Sequence, residues 1–226
     1  MPDLPADPPA HFVYPDPELG PRSAAARALR RLGSALVRHR ATEDELRQLE
    51  QTADATAHVL EQRPAVPRPS DYMARRYSDP RPVDGAEVVA FSDRPFSGPT
   101  NPMGFEVTMR RHGEAARSRV LFPAAFESAP GRAHGGAIAA AVDDNFGYLM
   151  VILGVAAYTG RLEIDYRGGV PVDEPVWFHG EQDHRDGRKL HVRLWVRPGD
   201  RTGPDLDAEP LITARGLFVL IPPERT

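Results

Sequence analysis

The chain of 226 residues contains no cysteine. Disulfides, thiolate nucleophiles and cysteine-based metal sites are therefore excluded, and cysteine usage says nothing about the redox compartment. Lysine is nearly absent too, because Lys189 is the only one and arginine supplies the remaining positive charge. The formal net charge is −4. The chain as a whole therefore lacks the basic field that attracts nucleic acid or anionic membranes.

The sequence also lacks a recognisable targeting segment. Residues 1–9 are rich in proline and aspartate and hold neither the basic nor the apolar stretch of a signal peptide. The longest apolar run, residues 146–157, is shorter than the ~20 residues that span a bilayer. We therefore expect a cytoplasmic protein with no membrane-spanning segment.

Shifts in composition divide the chain into four predicted segments. Residues 1–21 are a proline-rich arm, which becomes ordered only if it packs on something else. Residues 22–63 have helical periodicity. Residues 64–94 are rich in Pro, Ser, Asp and Gly, which predicts a linker or a wrapping segment with one short strand at 87–91. Residues 95–226 hold the strand patterns.

The helical segment is predicted to be a hairpin. Apolar residues recur three and four positions apart in its first half, at Ala25, Leu29, Leu32 and Leu36. Thr42 followed by Glu45 is a capping-box signature that starts a second helix. The stripe continues at Leu46, Leu49, Ala53 and Leu60. Two such helices make a poor core alone, so we expect them to dock on the rest of the chain or on a partner.

The last segment predicts an α+β fold. Two strand patterns, at 105–111 and 118–122, precede an apolar helix at 135–153. Four more strand patterns follow, at 162–166, 176–182, 190–196 and 211–220. Consecutive hairpins indicate an antiparallel sheet. A helix that is apolar on nearly all sides must be buried, so the sheet is expected to curl around it.

A short motif at the start of that helix indicates acyl chemistry. His134, Gly135 and Gly136 form a turn, and Asp143 follows about two helical turns later. The first N–H groups of a helix have no intrahelical partner, so they can stabilise a developing oxyanion. A carboxylate can activate water. The alternative is an ordinary turn, with an aspartate that pairs with an arginine across an interface.

These residues resemble the hotdog-fold acyl-CoA thioesterases, and most closely the phenylacetate-degradation branch. The resemblance covers residues 95–226 and leaves out the helical segment. It rests on the His134–Gly136 turn, on Asp143 nine residues after the histidine, on the strand end at 164–167, and on the hairpin at 186–188. The order of elements also agrees, down to the final apolar strand.

The resemblance implies hydrolysis of acyl-CoA by a homodimer or a dimer of dimers, without a cofactor. The Gly135 amide would polarise the thioester carbonyl, with Gly136 completing the turn. Asp143 of the opposing subunit would act as base or nucleophile, and Thr159 would hold the water. His134 is expected to orient the loop rather than to transfer a proton.

The chain departs from the family pattern at one position. Many relatives carry an asparagine about six residues before the histidine, as a second carbonyl donor, and this chain has Ser128 there. Arginine and lysine side chains bind phosphates, so the candidates for contacting CoA are Arg167, Arg188 and Lys189. Asp144 is assigned a structural role.

The sequence offers three alternatives. The strand histidines His179, His184 and His191 lack a compact ligand spacing, so no metal site is predicted. A hotdog-fold enoyl-CoA hydratase would need a histidine five residues after Asp143, where this chain has Tyr148. A hotdog module that binds acyl-CoA without cleaving it, and contacts a partner protein through the helical hairpin, is the non-enzymatic alternative.

Overall fold

The computed structural model describes residues 8–225. The first seven residues of the predicted arm and residue 226 lie outside the described residues. The helices are α1 (Leu19–Arg38), α2 (Glu43–Glu61), α3 (Tyr72–Ser78) and α4 (Gly135–Leu153). The strands are β1 (His11–Phe12), β2 (Val88–Val89), β3 (Glu106–His112), β4 (Ala115–Leu121), β5 (Ala157–Tyr166), β6 (Pro175–Asp186), β7 (Lys189–Pro198) and β8 (Ile212–Leu220).

Six of these strands form one antiparallel sheet in the order β3-β4-β6-β7-β8-β5. Short turns join β3 to β4 and β6 to β7, and the second turn passes through Gly187 at φ +55°. This conformation favours glycine because a Cβ would clash with the backbone. Strand β5 lies at one edge of the sheet, and most of its residues are exposed.

Helix α4 fills the concave face of the sheet. Its side chains Val142, Phe146 and Leu149 are fully buried, as are Val176 and Phe178 of β6, against which the helix packs. Burial of this apolar helix removes its side chains from water, which favours folding. The predicted α+β architecture, with an antiparallel sheet wrapped around a central apolar helix, is confirmed.

Helix α4 also corrects the expectation about membrane-spanning length. By length and hydropathy it is able to cross a bilayer, the one helix within residues 8–225 of which this is true. However, 67% of the apolar window is buried inside the protein. Its apolar character is therefore explained by the core.

The two N-terminal helices form, but they do not pack along each other as a hairpin. Helix α1 buries Ser23 and Ala26 and docks on the 3-10 turn at Ala124–Phe126. Helix α2 begins at the predicted capping box of Thr42 and Glu45, and none of its residues is buried. Both predicted helices are present, but the four residues that separate them, 39–42, do not fold α2 back onto α1.

The segment predicted as a linker is structured. It contains α3, which the sequence did not predict, and β2, which falls within the predicted strand. Strand β1 of the arm pairs in parallel with β2, joining His11 to Val88 and Phe12 to Val89. The arm thus pairs with the segment 64–94, and that segment contacts the sheet through the bridge between Glu87 and Arg110 of β3. Residues that follow β2 also contact α4.

Candidate active site

The start of α4 presents one unpaired backbone donor. His134 is the N-cap, and its Nδ1 accepts a hydrogen bond from the Gly136 N–H at 2.9 Å. The Gly135 N–H donates to no acceptor within residues 8–225. The Gly135 carbonyl accepts from the Tyr166 hydroxyl at 2.9 Å, which ties the end of β5 to the helix start. Gly135 is therefore the glycine whose amide is available to a substrate.

The other two motif residues have structural tasks. The Gly136 N–H is occupied by His134, so Gly136 does not offer a second donor in this conformation. His134 uses its ring nitrogen as an acceptor for that cap, which matches the expected orienting role. Only one of the two glycine amides that the sequence grouped together is thus free.

Asp143 and Thr159 are brought together, as the resemblance implies. The Thr159 hydroxyl donates to Asp143 Oδ1 at 2.9 Å. Thr159 reaches this position because α4 ends at Leu153, with Gly154 as its C-cap, and β5 begins soon afterwards at Ala157. Asp143 is partly exposed and lies in the wall of a cavity.

Gly135 and Asp143 lie far apart within one chain. They are eight residues apart on a straight helix, which corresponds to ~12 Å along its axis at 1.5 Å per residue. A carbonyl oxygen held by the Gly135 amide is therefore out of reach of Asp143 of the same chain. The two groups meet at one thioester only if a second copy supplies one of them.

Asp144 has a separate, structural environment. Its Oδ1 accepts from the Arg94 Nε at 2.6 Å, with both side chains about 14% exposed or less, and its Oδ2 accepts from the Ser97 hydroxyl. Burial lowers the pKa of Arg94, but the Asp144 carboxylate offsets this and leaves that pKa raised above its ordinary value. Burial raises the pKa of the neighbouring Tyr148. The structural role assigned to Asp144 agrees with these contacts.

Two cavities meet at Asp143. The large cavity, of about 570 Å³, is lined by two aromatic residues of the wrapping segment, Tyr72 and Phe91, and by Phe96 just after it. The small cavity, of about 250 Å³, includes Thr159 and Arg76 in its wall. Residues before position 95 therefore form one side of each cavity.

The predicted CoA-binding residues do not form one cluster within a chain. Arg167 is exposed just after β5, beside the Gly135 end of α4. Arg188 donates from Nε to the Leu220 carbonyl at 3.1 Å, and Lys189 lies opposite Val219. Because Leu220 pairs with Ala157 at the start of β5, these two residues lie at the far end of that strand from Arg167.

Ser128 lies in the loop that precedes α4. Its backbone N–H donates to the Arg132 carbonyl at 2.9 Å, and the residue is exposed. The loop is closed by a bridge between Glu127 and Ala133. Within residues 8–225 the Ser128 hydroxyl has no hydrogen-bond partner, so it is not held in a fixed orientation.

Two alternative sites receive no support from the geometry. In the part of the chain that the structure describes, no group of three His, Asp or Glu side chains is arranged to hold a metal ion. His184 and His191 stack on each other, and His179 contacts Glu181 at 3.2 Å. Tyr148, at the position where a hydratase would carry histidine, is fully buried.

Sequence reasoning missed the residues that wall the site from the N-terminal side. These are Tyr72, Arg76, Phe91, Arg94 and Phe96. All lie in or next to a stretch whose proline and polar composition indicates a linker. The sequence contains a signal for Arg94 alone. Gly147 lies in the middle of an apolar helix, and its missing side chain leaves the space that Arg94 occupies.

Comparison with known proteins gives consistent matches. Residues 130–204 match the family model of the thioesterase superfamily. The chain is 31% identical over 126 residues to acyl-coenzyme A thioesterase THEM4 of Bos taurus, covering 55% of this chain and 49% of that protein. It is 33% identical over 100 residues to acyl-coenzyme A thioesterase THEM5 of Homo sapiens, covering 43% of this chain and 40% of that protein.

A solved structure shares the fold over most of the chain. It is a thioesterase superfamily protein with a TM-score of 0.69 and 24% sequence identity, covering 88% of this chain and 90% of that chain. The chain spans at most about half the length of the curated relatives that it matches. Taken with the central helix and its antiparallel sheet, the structural match shows that the chain has the hotdog fold, and residues 130–204 are similar to the thioesterase superfamily.

Proposed function

We propose that this chain hydrolyses acyl-CoA thioesters to a free acid and CoA, and that it acts as a homodimer or a dimer of dimers. The observation that carries the proposal is the unpaired Gly135 amide at the start of a helix whose Asp143 contacts Thr159. The relatives named acyl-coenzyme A thioesterases support acyl-CoA as the substrate class. No cofactor is invoked beyond the CoA carried by the substrate.

The reaction follows from the two groups. Asp143 removes a proton from a water molecule while the oxygen of that water attacks the thioester carbonyl carbon. The hydroxyl of Thr159 holds Asp143 Oδ1 in place. The Gly135 N–H stabilises the resulting oxyanion. The C–S bond then breaks, the CoA sulfur takes up a proton and the acid leaves. Direct attack by Asp143 would instead place labelled oxygen from water in the Asp143 carboxylate during a single turnover.

A shared site between two copies is supported by the sheet edge. Strand β5 spans ten residues and exposes one row of backbone groups, and exposed edges of this length are usually covered in native proteins. Pairing two copies near this edge would bring Gly135 of one protomer towards Asp143 of its partner. The ~12 Å separation within a chain is then an advantage, since each dimer gains two complete sites.

The first test replaces Asp143 by asparagine, which keeps the shape and removes the base. Turnover on a panel of acyl-CoA thioesters should fall by at least ~100-fold, the lower range for loss of a general base. Asp54→Asn, which changes an exposed aspartate of α2, is the matched control and should leave turnover unchanged. Equal turnover of Asp143→Asn and the wild type would remove Asp143 from the mechanism.

The second test removes the Gly135 donor. Proline suits the first position of a helix, and His134 has the extended ψ of 135° that a following proline requires. Gly135→Pro should therefore fold yet lose ~100- to 1,000-fold in turnover relative to Gly135→Ala, which keeps the N–H. The added Cβ of that alanine meets only the Tyr166 ring, at ordinary contact distance.

Mixing the two inactive variants tests the shared site. A dimer of one Asp143→Asn chain and one Gly135→Pro chain contains one intact site when Gly135 and Asp143 come from different copies. After unfolding and refolding an equal mixture, roughly a quarter of wild-type activity should return, since half of the dimers are mixed and each has one site of two. No recovery would mean that the site lies within one chain.

The acyl-CoA-binding module remains the rival proposal, because Ser128 stands where many relatives have a second donor. Its hydroxyl is exposed and lacks a hydrogen-bond partner within the described chain. Binding of acyl-CoA measured by calorimetry, with no release of free thiol over the same panel, would favour the module over the hydrolase.

A further inference from the structure

Arg76 is a buried cation without a counter-ion. The residue is 7% exposed, and its Nη1 has no hydrogen-bond partner. Its Nη2 donates to the Tyr72 hydroxyl, and its guanidinium lies 4.5 Å from the Tyr72 ring centroid. No carboxylate within residues 8–225 forms an ion pair with it.

The surroundings of Arg76 make the lack of an anion costly. Burial lowers its pKa, and the positive charge of Arg94 lowers it further. Asp144, the nearby carboxylate, is already paired with Arg94. A buried charge that is not paired is strongly destabilising, so such groups are normally matched by an anion or a hydrogen-bond network. One acceptor with negative charge is missing from this cluster.

The small cavity connects Arg76 with the reacting groups. Asp143 and Thr159 lie in its wall together with Arg76. The rest of its lining is largely apolar and includes Met73, Met150, Val155 and Phe218. An acyl group whose carbonyl lies near Asp143 would therefore share one small, mostly apolar cavity with Arg76.

We propose that Arg76 binds the carboxylate at the far end of a short acyl group, which makes CoA thioesters of dicarboxylic acids the preferred substrates. This inference rests on the proposed thioesterase function. The cavity of about 250 Å³ has less than half the volume of the large cavity of about 570 Å³, which suits a short diacid. Its apolar lining disfavours the more strongly charged phosphates of CoA, the other source of an anion.

The wild-type protein and a variant test the preference. For the wild type, kcat/KM should be higher for glutaryl-CoA than for pentanoyl-CoA, which has the same chain without the second carboxylate. In Arg76→Met the ratio of the two kcat/KM values should fall by about 10- to 100-fold, the usual effect of one hydrogen bond to a charged group. Arg75→Met is the matched control, because Arg75 lies on the same helix, pairs with Asp79 and is absent from the cavity wall.

A binding measurement separates specificity from hydrolysis. In the Asp143→Asn background, calorimetry should give tighter binding of glutaryl-CoA than of pentanoyl-CoA, and Arg76→Met should remove the difference. Hydrolysis of both thioesters at similar rates, with no difference in binding, would overturn the Arg76 proposal and leave the thioesterase proposal intact. Failure to hydrolyse any thioester, with the binding difference retained, would overturn the thioesterase proposal and support the role of Arg76.

Thioesters of pantetheine, which lack the nucleotide phosphates, distinguish the two sources of the anion. The preference for the glutaryl over the pentanoyl thioester should persist with pantetheine. If Arg76→Met instead slows all CoA thioesters equally and leaves pantetheine thioesters unaffected, Arg76 contacts a phosphate and the proposal is wrong. Circular dichroism of Arg76→Met and of Arg76→Lys checks folding, and the wild-type ratio alone decides the preference if neither variant folds.

Discussion

Substitution of Gly147 by alanine should destabilise the protein, against the usual rule for helices. In the interior of a helix, alanine is more favourable than glycine by ~1 kcal/mol. At position 147, however, an added Cβ would overlap Nη2 of Arg94. Arg94 is largely buried and paired with Asp144, so a guanidinium that moves away from the new Cβ gives up its contact with that carboxylate.

The sign of the effect follows from the two magnitudes. Displacing Arg94 leaves Asp144 without its partner, and breaking a buried ion pair in this way costs ~3–5 kcal/mol. Subtracting the gain of ~1 kcal/mol in helix propensity leaves a net loss of about 2–4 kcal/mol in the free energy of unfolding. The clash therefore outweighs the propensity.

Urea unfolding at fixed protein concentration measures the change as a shift in midpoint, provided that the slope is unaltered. The matched control is Gly33→Ala in α1, where an added Cβ meets nothing within 4 Å and should stabilise by ~1 kcal/mol. In an Arg94→Ala background, Gly147→Ala should become stabilising as well. If Gly147→Ala raises the midpoint in the wild type as Gly33→Ala does, the packing argument is refuted.

Two further predictions concern helix capping and pH. Thr42→Ala removes the capping box of α2 and should lower the free energy of opening of that helix, measured by hydrogen exchange, by ~1 kcal/mol. Turnover should stay the same because no residue of α2 lines either cavity. An altered turnover would show that α2 reaches the site. Burial lowers the pKa of His179 below its ordinary 6.5, so the unfolded chain binds the proton more tightly. The contribution of neutral His179 to the free energy of unfolding should therefore be fully present above pH 6.5 and decrease as the pH falls below that value. In His179→Gln, the free energy of unfolding should decrease less over the same pH range. An equal decrease in the variant and the wild type would exclude His179 as the source.

The sequence predicted best where local pattern and burial agree. Helix α4 begins and ends at the predicted residues, because a long apolar stretch with a histidine–glycine start and Gly154 at its end leaves little choice. Strand β5 was predicted as 162–166 and is longer, running from Ala157 to Tyr166. Its first half contains Gly160 and a register shift near Thr159, which hide the alternation that identifies strands.

The wall of the site was not predictable from local pattern. Arg94 lies in a stretch of proline and polar residues, and its burial depends on an aspartate 50 positions later. Arg76 belongs to α3, a helix of seven residues that is too short to leave a clear periodic signal. The packing of α2 likewise depends on long-range contacts, since its apolar stripe predicts a helix without saying what covers it.

The Arg94–Asp144 pair joins the segment before residue 95 to the central helix. A protein trimmed to the part that resembles the family would retain Asp144 beside Tyr148 and lose the cation. At ~3–5 kcal/mol, that loss is a large share of the ~5–15 kcal/mol that keeps a domain folded. The boundary suggested by family resemblance is thus a poor place for recombination or engineering to divide this chain, because the segment 64–94 and the part that follows it share one interior.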